Sequence, residues 1–438
     1  MKEPMSLDVE QYRKRSCRYS GEPLGAPFLE LGTMPLANSY VKPQEAEKEE
    51  FRCPLSLVFA PTSGLVQLSH VVPPDLMFKN YLYVSSTTKT FQAHFSEYAK
   101  TIHTKLGFRG KPSKGALAVD IGSNDGALLA LYLKAGLRAV GVDPATNLAE
   151  EANRKGLKTV NRYFDEKAVH QILAQEGKAS VISANNVFAH IDDVHSVCRN
   201  VSELLDDTGF FVTEFPYLGV MLEKLYFDMI YHEHLSYIAL KPLAYLLQKF
   251  DLQIFDVQFV DSHGGSLRVF IKKKRASYPV AEIVGKMLQE EEKKGYFDLV
   301  AYQNFSKKVM KVTNDLVTCI QNLKQKGKSI AGYGAPAKAS TIINFCGFTT
   351  HEIDYVVDDN PMKQNHLVPG AKIPIVPSSY LQSEPKDYIV IFAWNFAKEI
   401  LGKIGHLKNQ GVRFIVPLLK PEKQEQSYEE QPSYQLIS

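Results

Sequence analysis

The chain has 438 residues, a formal net charge of +3, 45% hydrophobic and 23% charged residues. That length predicts two or three domains, and so weak a charge excludes a basic footprint for nucleic acid. The five cysteines (Cys17, Cys53, Cys198, Cys319, Cys346) form no CxxC pair and the N-terminus has no apolar core, so a cytoplasmic protein without a disulfide framework, leader or membrane span is expected.

The first hundred or so residues are rich in proline, with GEPLGAP, MPLAN, RCPLSL, FAPTSG and VVPPD in succession. They predict short strands joined by turns. TFQAHFSEYAKTIHTKL then shows helical spacing. From residue 116 apolar runs alternate with amphipathic ones: ALAVDIG, DGALLALYLKAG, RAVGVDP, ATNLAEEANRKG, KTVNRYF, ASVISANNVFAHI, GFFVTEFP. That alternation predicts a parallel sheet covered on both faces. QIFDVQFVDSHGGSLRVFIKKK predicts two strands around a Gly-Gly turn, an antiparallel pair at the far end of the sheet. Residues 281–326 are charged and helical and are expected to connect to a further α/β unit, opened by KSIAGYGAPAKASTIINFCG. The expected divisions are 1–80, 81–280, 281–326, 327–420 and a loose polar tail, 421–438.

VDIGSNDGALL places a glycine turn between a strand and a helix, where sheets of this kind bind ligands. Gly122 and Gly126 are expected to let a ligand approach the backbone. The second glycine of a dinucleotide fingerprint is replaced by Asn124, and Asp125 would repel a pyrophosphate. The turn suits a cationic or zwitterionic ligand such as S-adenosylmethionine. Asp143 in VGVDP stands about 20 residues on, where a carboxylate accepts ribose hydroxyls. Asp120, Gly122, Asn124, Asp125, Gly126 and Asp143 are the candidate cofactor residues on this reading.

MIYHEHLSY gathers Tyr231, His232, Glu233 and His234 between apolar neighbours. The histidines lie two apart, not four as in a zincin helix. An extended segment would put His232 and His234 on one side; a turn would let Tyr231 and His234 converge.

Taken in order, MPLANSY, DIGSNDGALL, GVDPATNLA, ANNVFAHIDD, EFPYLGVML, FDMIYHEHLSY, DSHGGSLRVF, GYGAPAKASTIINF, VDDNPMKQN and FAWNFAKEI resemble the bacterial sugar C-methyltransferases of nucleotide-linked 4-keto-deoxyhexoses. The resemblance covers about 17–418. It implies an α/β protein with a class I S-adenosylmethionine-dependent, Rossmann-like central domain. A small β-rich zinc-binding-type domain would precede it and a second Rossmann-like domain follow it. It also implies methyl transfer to C3 beside the C4 ketone, through an enolate, with His234 as base and Glu233, Tyr231 and Tyr83 at the site. Asn185 and Asn186 would lie near the methionine end of the cofactor. His263, Gly264, Arg268, Tyr333, Lys338 and Asn395 would line the nucleotide-sugar cleft, with Arg268 or Lys338 facing phosphate.

This sequence departs from the resemblance at the zinc positions. Two CxxC pairs are implied there, but Cys17 stands with Ser20, and Ala60 with Ser63. One thiolate cannot close a tetrahedral site, so no metal is expected. Another activated carbonyl acceptor, a nicotinamide-dependent oxidoreductase using GYGAPAK, and a non-catalytic cofactor-binding protein are the alternatives. The oligomeric state stays open, a monomer included.

Overall fold

The structure is a computed structural model, and it describes residues 9–78, 89–107, 115–262, 264–417 and 434–437. Near the N-terminus β1 (Leu29–Pro35), β2 (Arg52–Ala60) and β3 (Leu65–Leu68) form an antiparallel sheet. The PTSG turn at 61–64 joins β2 to β3 and lets Ala60 pair with Leu65.

In the central unit β4 (Leu117–Ile121), β5 (Arg138–Val142), β6 (Thr159–Val160), β7 (Ala179–Asn185) and β8 (Leu205–Pro216) run parallel, in the order β8-β7-β4-β5-β6. Every residue of β4 is buried, which is why its sequence is nearly continuous apolar rather than alternating. The short β9 (Ser236–Tyr237) leaves this unit and pairs with β3 of the N-terminal sheet. Then β10 (Leu252–Val260) and β11 (Ser266–Lys273) form the expected antiparallel hairpin at the far end of the sheet. β11 slots between β8 and β10 and pairs antiparallel with both. All eight residues of β11 are buried, whereas β10 is mixed. The wholly buried strand takes the interior place. This is the strand order of a Rossmann-like methyltransferase sheet.

Two helices follow, Glu282–Lys293 and Leu299–Gln325. The second starts at Asp298, whose carboxylate accepts the Val300 amide at 2.9 Å. It buries Tyr302, Phe305, Val309, Val312, Leu316 and Ile320, a stripe at three- and four-residue spacing. Tyr302 meets Phe28 and Phe59 with ring centroids 5.0 and 4.9 Å apart, so the helix lies along the N-terminal sheet.

The last unit holds five parallel strands: β12 (Ile330–Tyr333), β13 (Val356–Val357), β14 (Ile375–Val376), β15 (Tyr388–Ile391) and β16 (Arg413–Pro417). The expectation of a loose tail over 421–438 is corrected at its end. Tyr434–Ile437 forms β17, antiparallel on the edge strand β16, where it meets main-chain groups that would otherwise be unpaired. One apolar cluster runs through all three units and includes Leu57, Ile182 and Ile330. Among the described residues no helix is long and apolar enough to cross a membrane.

Candidate active site

The cofactor turn comes first. Leaving β4, the chain passes Gly122, Asn124 and Gly126, all at positive φ (68°, 52° and 80°), before the helix Ala127–Lys134. A Cβ on Gly122 would stand 2.4 Å from Val187 Cγ2, and one on Gly126 2.5 Å from Leu157 Cδ1. Lacking a Cβ, both let protein pack closely on protein at the turn. The Asn124 amide donates to Asp143 Oδ2 at 2.8 Å, and the Ala145 amide to Asp143 Oδ1 at 2.8 Å. Burial raises the Asp143 pKa, while these two amides favour the carboxylate.

Asp120 lies below the turn, inside the sheet. Ser183 Oγ donates to it at 2.6 Å, and burial, opposed by that bond, pushes its carboxyl up to about 7. It supports the turn from beneath.

Around the turn, several buried polar atoms have no hydrogen-bond partner: Ser123 Oγ, Asp125 Oδ1, both amide atoms of Asn185, and Asn186 Oδ1. β7 pairs with β4 here, Ala184 opposite Ile121, so these atoms gather at the carboxyl ends of two adjacent strands. Unpaired buried polar groups are costly and rare. Donors and acceptors of this kind fit the amino and carboxylate groups and ribose of S-adenosylmethionine. Asp125, Asn185, Asn186 and Asp143 are the residues that would hold it.

The YHEH segment is a turn. The His234 amide donates to the Tyr231 carbonyl at 2.9 Å, and Tyr231 and His234 converge. The Tyr231 hydroxyl lies 2.7 Å from His234 Nε2, with the rings 4.0 Å apart. His234 Nδ1 faces the Met229 carbonyl at 2.8 Å. A carbonyl only accepts, so Nδ1 carries the hydrogen and Nε2 keeps a lone pair toward the tyrosine hydroxyl. The intervening residues point elsewhere. His232 Nε2 donates to the Cys53 carbonyl in β2 at 3.0 Å, and burial pushes its pKa down to about 4. Glu233 Oε1 accepts from Asn38 Nδ2 at 2.6 Å. Thus the two middle residues fasten the loop to the N-terminal unit. His190 sits 5.0 Å from His234, ring to ring. Burial pushes it down to about 4, so it stays uncharged beside His234 at neutral pH.

The C-terminal unit closes on the same loop. Thr341 Oγ1 donates to the Ile230 carbonyl at 2.9 Å, and Ser340 Oγ to the Ala37 carbonyl at 2.9 Å. Tyr40 donates to the Ala335 carbonyl at 2.6 Å, within the GYGAPAK turn. Trp394 Nε1 donates to Asp228 Oδ2 at 2.5 Å. The Gly264 turn packs here too: a Cβ on Gly264 would lie 2.6 Å from Trp394 Cη2. Asn395 follows Trp394 and is half-buried.

Arg268, Lys338 and Tyr333, three other expected sugar-cleft residues, are each engaged with protein neighbours. Arg268 is corrected outright. It is 1% exposed, with Nε donating to Glu214 Oε2 at 3.1 Å and Nη1 to Glu97 Oε2 at 3.0 Å. Its charge is taken up inside the sheet, not offered to phosphate. Lys338 is 5% exposed, with its ammonium 4.4 Å from the Trp394 ring centroid. Tyr333 donates to Asp359 within the C-terminal unit at 3.0 Å. Tyr83 and His263 lie outside the described residues. Sequence reasoning missed Asn38, Tyr40, Asp228, Thr341 and Trp394. Their only signal was that each falls within one of the motifs MPLANSY, FDMIYHEHLSY, GYGAPAKASTIINF and FAWNFAKEI.

The zinc-type positions do come together. The Cys17 thiol lies 3.1 Å from Ser63 Oγ. Beside them Glu22 accepts from the Thr62 amide at 3.0 Å, from the Thr62 hydroxyl at 2.6 Å and from Ser20 Oγ at 2.9 Å. One thiol, two hydroxyls and Ala60 do not fit a tetrahedral zinc. A carboxylate ties the two turns together instead.

Family models match in sequence along the chain: "Putative zinc binding domain" at 17–78, "Methyltransferase domain" at 91–257 and "C-methyltransferase C-terminal domain" at 261–418. C-methyltransferase NovU of Streptomyces niveus is 35% identical over 405 residues, 92% of this chain and 96% of that protein. Among solved structures, an S-adenosylmethionine-dependent methyltransferase from Clostridium acetobutylicum is 14% identical at a TM-score of 0.34, covering 41% of this chain and 91% of the other. Magnesium protoporphyrin IX methyltransferase from Synechocystis is 15% identical at a TM-score of 0.31, covering 42% and 80%. Neither of those two likenesses carries weight at such scores. The central sheet, the near full-length relative and the three matched models agree that the chain belongs to the family of S-adenosylmethionine-dependent C-methyltransferases.

Proposed function

We propose that this enzyme methylates C3 of a nucleotide-linked 4-keto-deoxysugar, with His234 as the base. The observation that carries the reading is the Tyr231–His234 pair, in which Nε2 holds its lone pair against a hydroxyl 2.7 Å away while Nδ1 is engaged by the Met229 carbonyl. A ketone acidifies the neighbouring C–H. The C3 proton passes to His234 Nε2, directly or with the Tyr231 hydroxyl giving its proton to Nε2 and taking the one from C3. The C–H electron pair moves into the enolate. The imidazolium that results is stabilised by the Met229 carbonyl on Nδ1. S-adenosylmethionine, when bound, supplies the electrophilic methyl group. Asp125, Asn185, Asn186 and Asp143 hold and orient that cofactor, and Glu233 keeps the loop docked through Asn38. Tyr83 and His263, carried over from the family resemblance, complete the proposed sugar side with Asn395, Tyr333 and Gly264.

The test is incubation with S-adenosylmethionine and a panel of nucleotide 4-keto-deoxysugars, read by mass spectrometry. The expected product carries one added methyl on carbon. The same incubation with His234→Ala is expected to give none above background. Undiminished methylation by that variant overturns the base assignment.

A further inference from the structure

Behind His234 lies a buried group of three side chains that the chemistry above does not use. Asp228 is wholly buried in the turn Phe227–Met229. Its Oδ2 takes the Trp394 N–H at 2.5 Å. Its Oδ1 has no hydrogen-bond partner, and neither has the buried ammonium of Lys338. Trp394 is the single tryptophan of the chain. The Tyr226 ring lies 4.0 Å from it and the Lys338 ammonium 4.4 Å from its ring centroid. Asp228 belongs to the central unit; Lys338 and Trp394 belong to the C-terminal one.

The turn that carries Asp228 also carries the group that orients the base. Met229, the next residue, supplies the carbonyl bound to His234 Nδ1. Ile230, the one after, is held by Thr341 of the C-terminal unit. Phe227 meets Phe345 of the helix Ala337–Phe345, which also carries Thr341, with ring centroids 5.7 Å apart. So three of four consecutive residues are gripped by the C-terminal unit, and the fourth grips His234. An isolated buried carboxylate or ammonium is strongly unfavourable. Burial pushes the Asp228 carboxyl up to about 6, and the charge of Lys338 and the Trp394 hydrogen bond oppose that rise. Burial likewise lowers the Lys338 pKa, and the attraction between the two opposite charges offsets part of the cost of burying each.

We infer that Asp228, Lys338 and Trp394 form a positioning site through which the C-terminal domain sets the orientation of His234. The inference rests on His234 being the base. Its consequence is that docking of the C-terminal domain is needed for proton abstraction as well as for holding substrate.

Trp394→Phe keeps the ring and removes the N–H. With the nucleotide 4-keto-sugar that the panel identifies, kcat is expected to fall by about 10²-fold, the loss that misplacing a catalytic group brings, while KM for S-adenosylmethionine stays unchanged. Exchange of the substrate C3 hydrogen with deuterated solvent, run with S-adenosylhomocysteine in place of the methyl donor, is expected to slow in parallel. Asp228→Asn leaves Lys338 unbalanced and is expected to be worse than Asp228→Asn with Lys338→Met, where both charges are gone. A second readout needs no substrate: amide hydrogen exchange of the peptide spanning 227–235 is expected to quicken in Trp394→Phe. Wild-type C3 exchange or wild-type protection of that peptide in Trp394→Phe overturns the inference. Wild-type C3 exchange in His234→Ala overturns the base assignment instead, so the two failures are told apart.

Discussion

The hydroxyl of Tyr231 and Nε2 of His234 stand 2.7 Å apart, while the other nitrogen of His234 is fixed on the Met229 carbonyl. A base with one nitrogen committed to a carbonyl has one nitrogen left for a proton. Removing the imidazole with His234→Ala is therefore expected to lower kcat by about 10²- to 10⁴-fold, the span of general acid–base catalysis. Tyr231→Phe keeps the ring contact and loses only the hydroxyl, so a smaller loss is expected. Steady-state kinetics on both variants, with circular dichroism to confirm folding, check this. Equal losses would make the tyrosine an obligate relay.

Asp228 gives a pH dependence with a definite sign. Its carboxyl is raised by burial to about 6 in the folded protein, against about 4 for an unfolded aspartate. A raised acid favours the protonated fold. The stability it contributes is full below pH 4 and is lost as pH rises through 6, a difference of about 3 kcal/mol. Emission of Trp394 is expected to titrate with a midpoint near 6, and Asp228→Asn to abolish that transition. A flat emission profile in the wild type between pH 5 and 7, taken on the order of the interval around the raised value, would remove the carboxylate from contact with the indole.

Glu22 gives a stability prediction of opposite sign. Burial would raise its carboxyl, but the hydrogen bonds from Thr62, Ser20 and the amides of Thr62 and Ser63 together hold it below the usual range. Its contribution is present above the ordinary glutamate pKa and is lost as pH falls through the lowered value. Glu22→Ala is expected to cost about 2 kcal/mol at neutral pH, as for loss of bonds to a charged acceptor, measured by chemical denaturation. Elemental analysis of the wild type is expected to find no zinc. Installing cysteine at Ser20, Ala60 and Ser63 beside Cys17 is expected to bring one zinc per chain.

Arg268 and Glu214 are opposite each other on adjacent strands, both almost wholly buried. Arg268→Ala leaves the buried carboxylate of Glu214, among the described residues, with only His94 and Ser262 as side-chain partners and is expected to cost about 3 kcal/mol, the low end of what breaking a buried pair from one side brings. Where the variant still folds, KM for the sugar nucleotide is expected to match the wild type. A selective rise in that KM would restore the phosphate role that the residue's place in the sheet removes.

The parts of this molecule that could be read in advance are those whose signal is local. β4 shows itself as ALAVDIG because a strand buried on both faces has no polar alternation to confuse it. Tyr231 and His234 stand out because ionisable residues are dense there among apolar ones. What could not be read depends on partners distant in the chain. Asp228 and Trp394 are 166 residues apart, and nothing near either announces the other. Arg268 was expected to face phosphate, and only the register of β11 on β8 places Glu214 opposite it. Gly122 and Gly126 were visible in the sequence, but not the neighbours that also need them: Val187 and Leu157 stand where a Cβ would go.

The most direct measurement of the central claim is the fate of the C3 hydrogen. A nucleotide 4-keto-deoxysugar deuterated at C3 is incubated with enzyme and S-adenosylmethionine, and the product is examined by mass spectrometry and NMR. The prediction is a new methyl on C3 with the deuterium lost to solvent, abolished together in His234→Ala. A methyl group on oxygen, or a product that keeps the deuterium at C3, would contradict it.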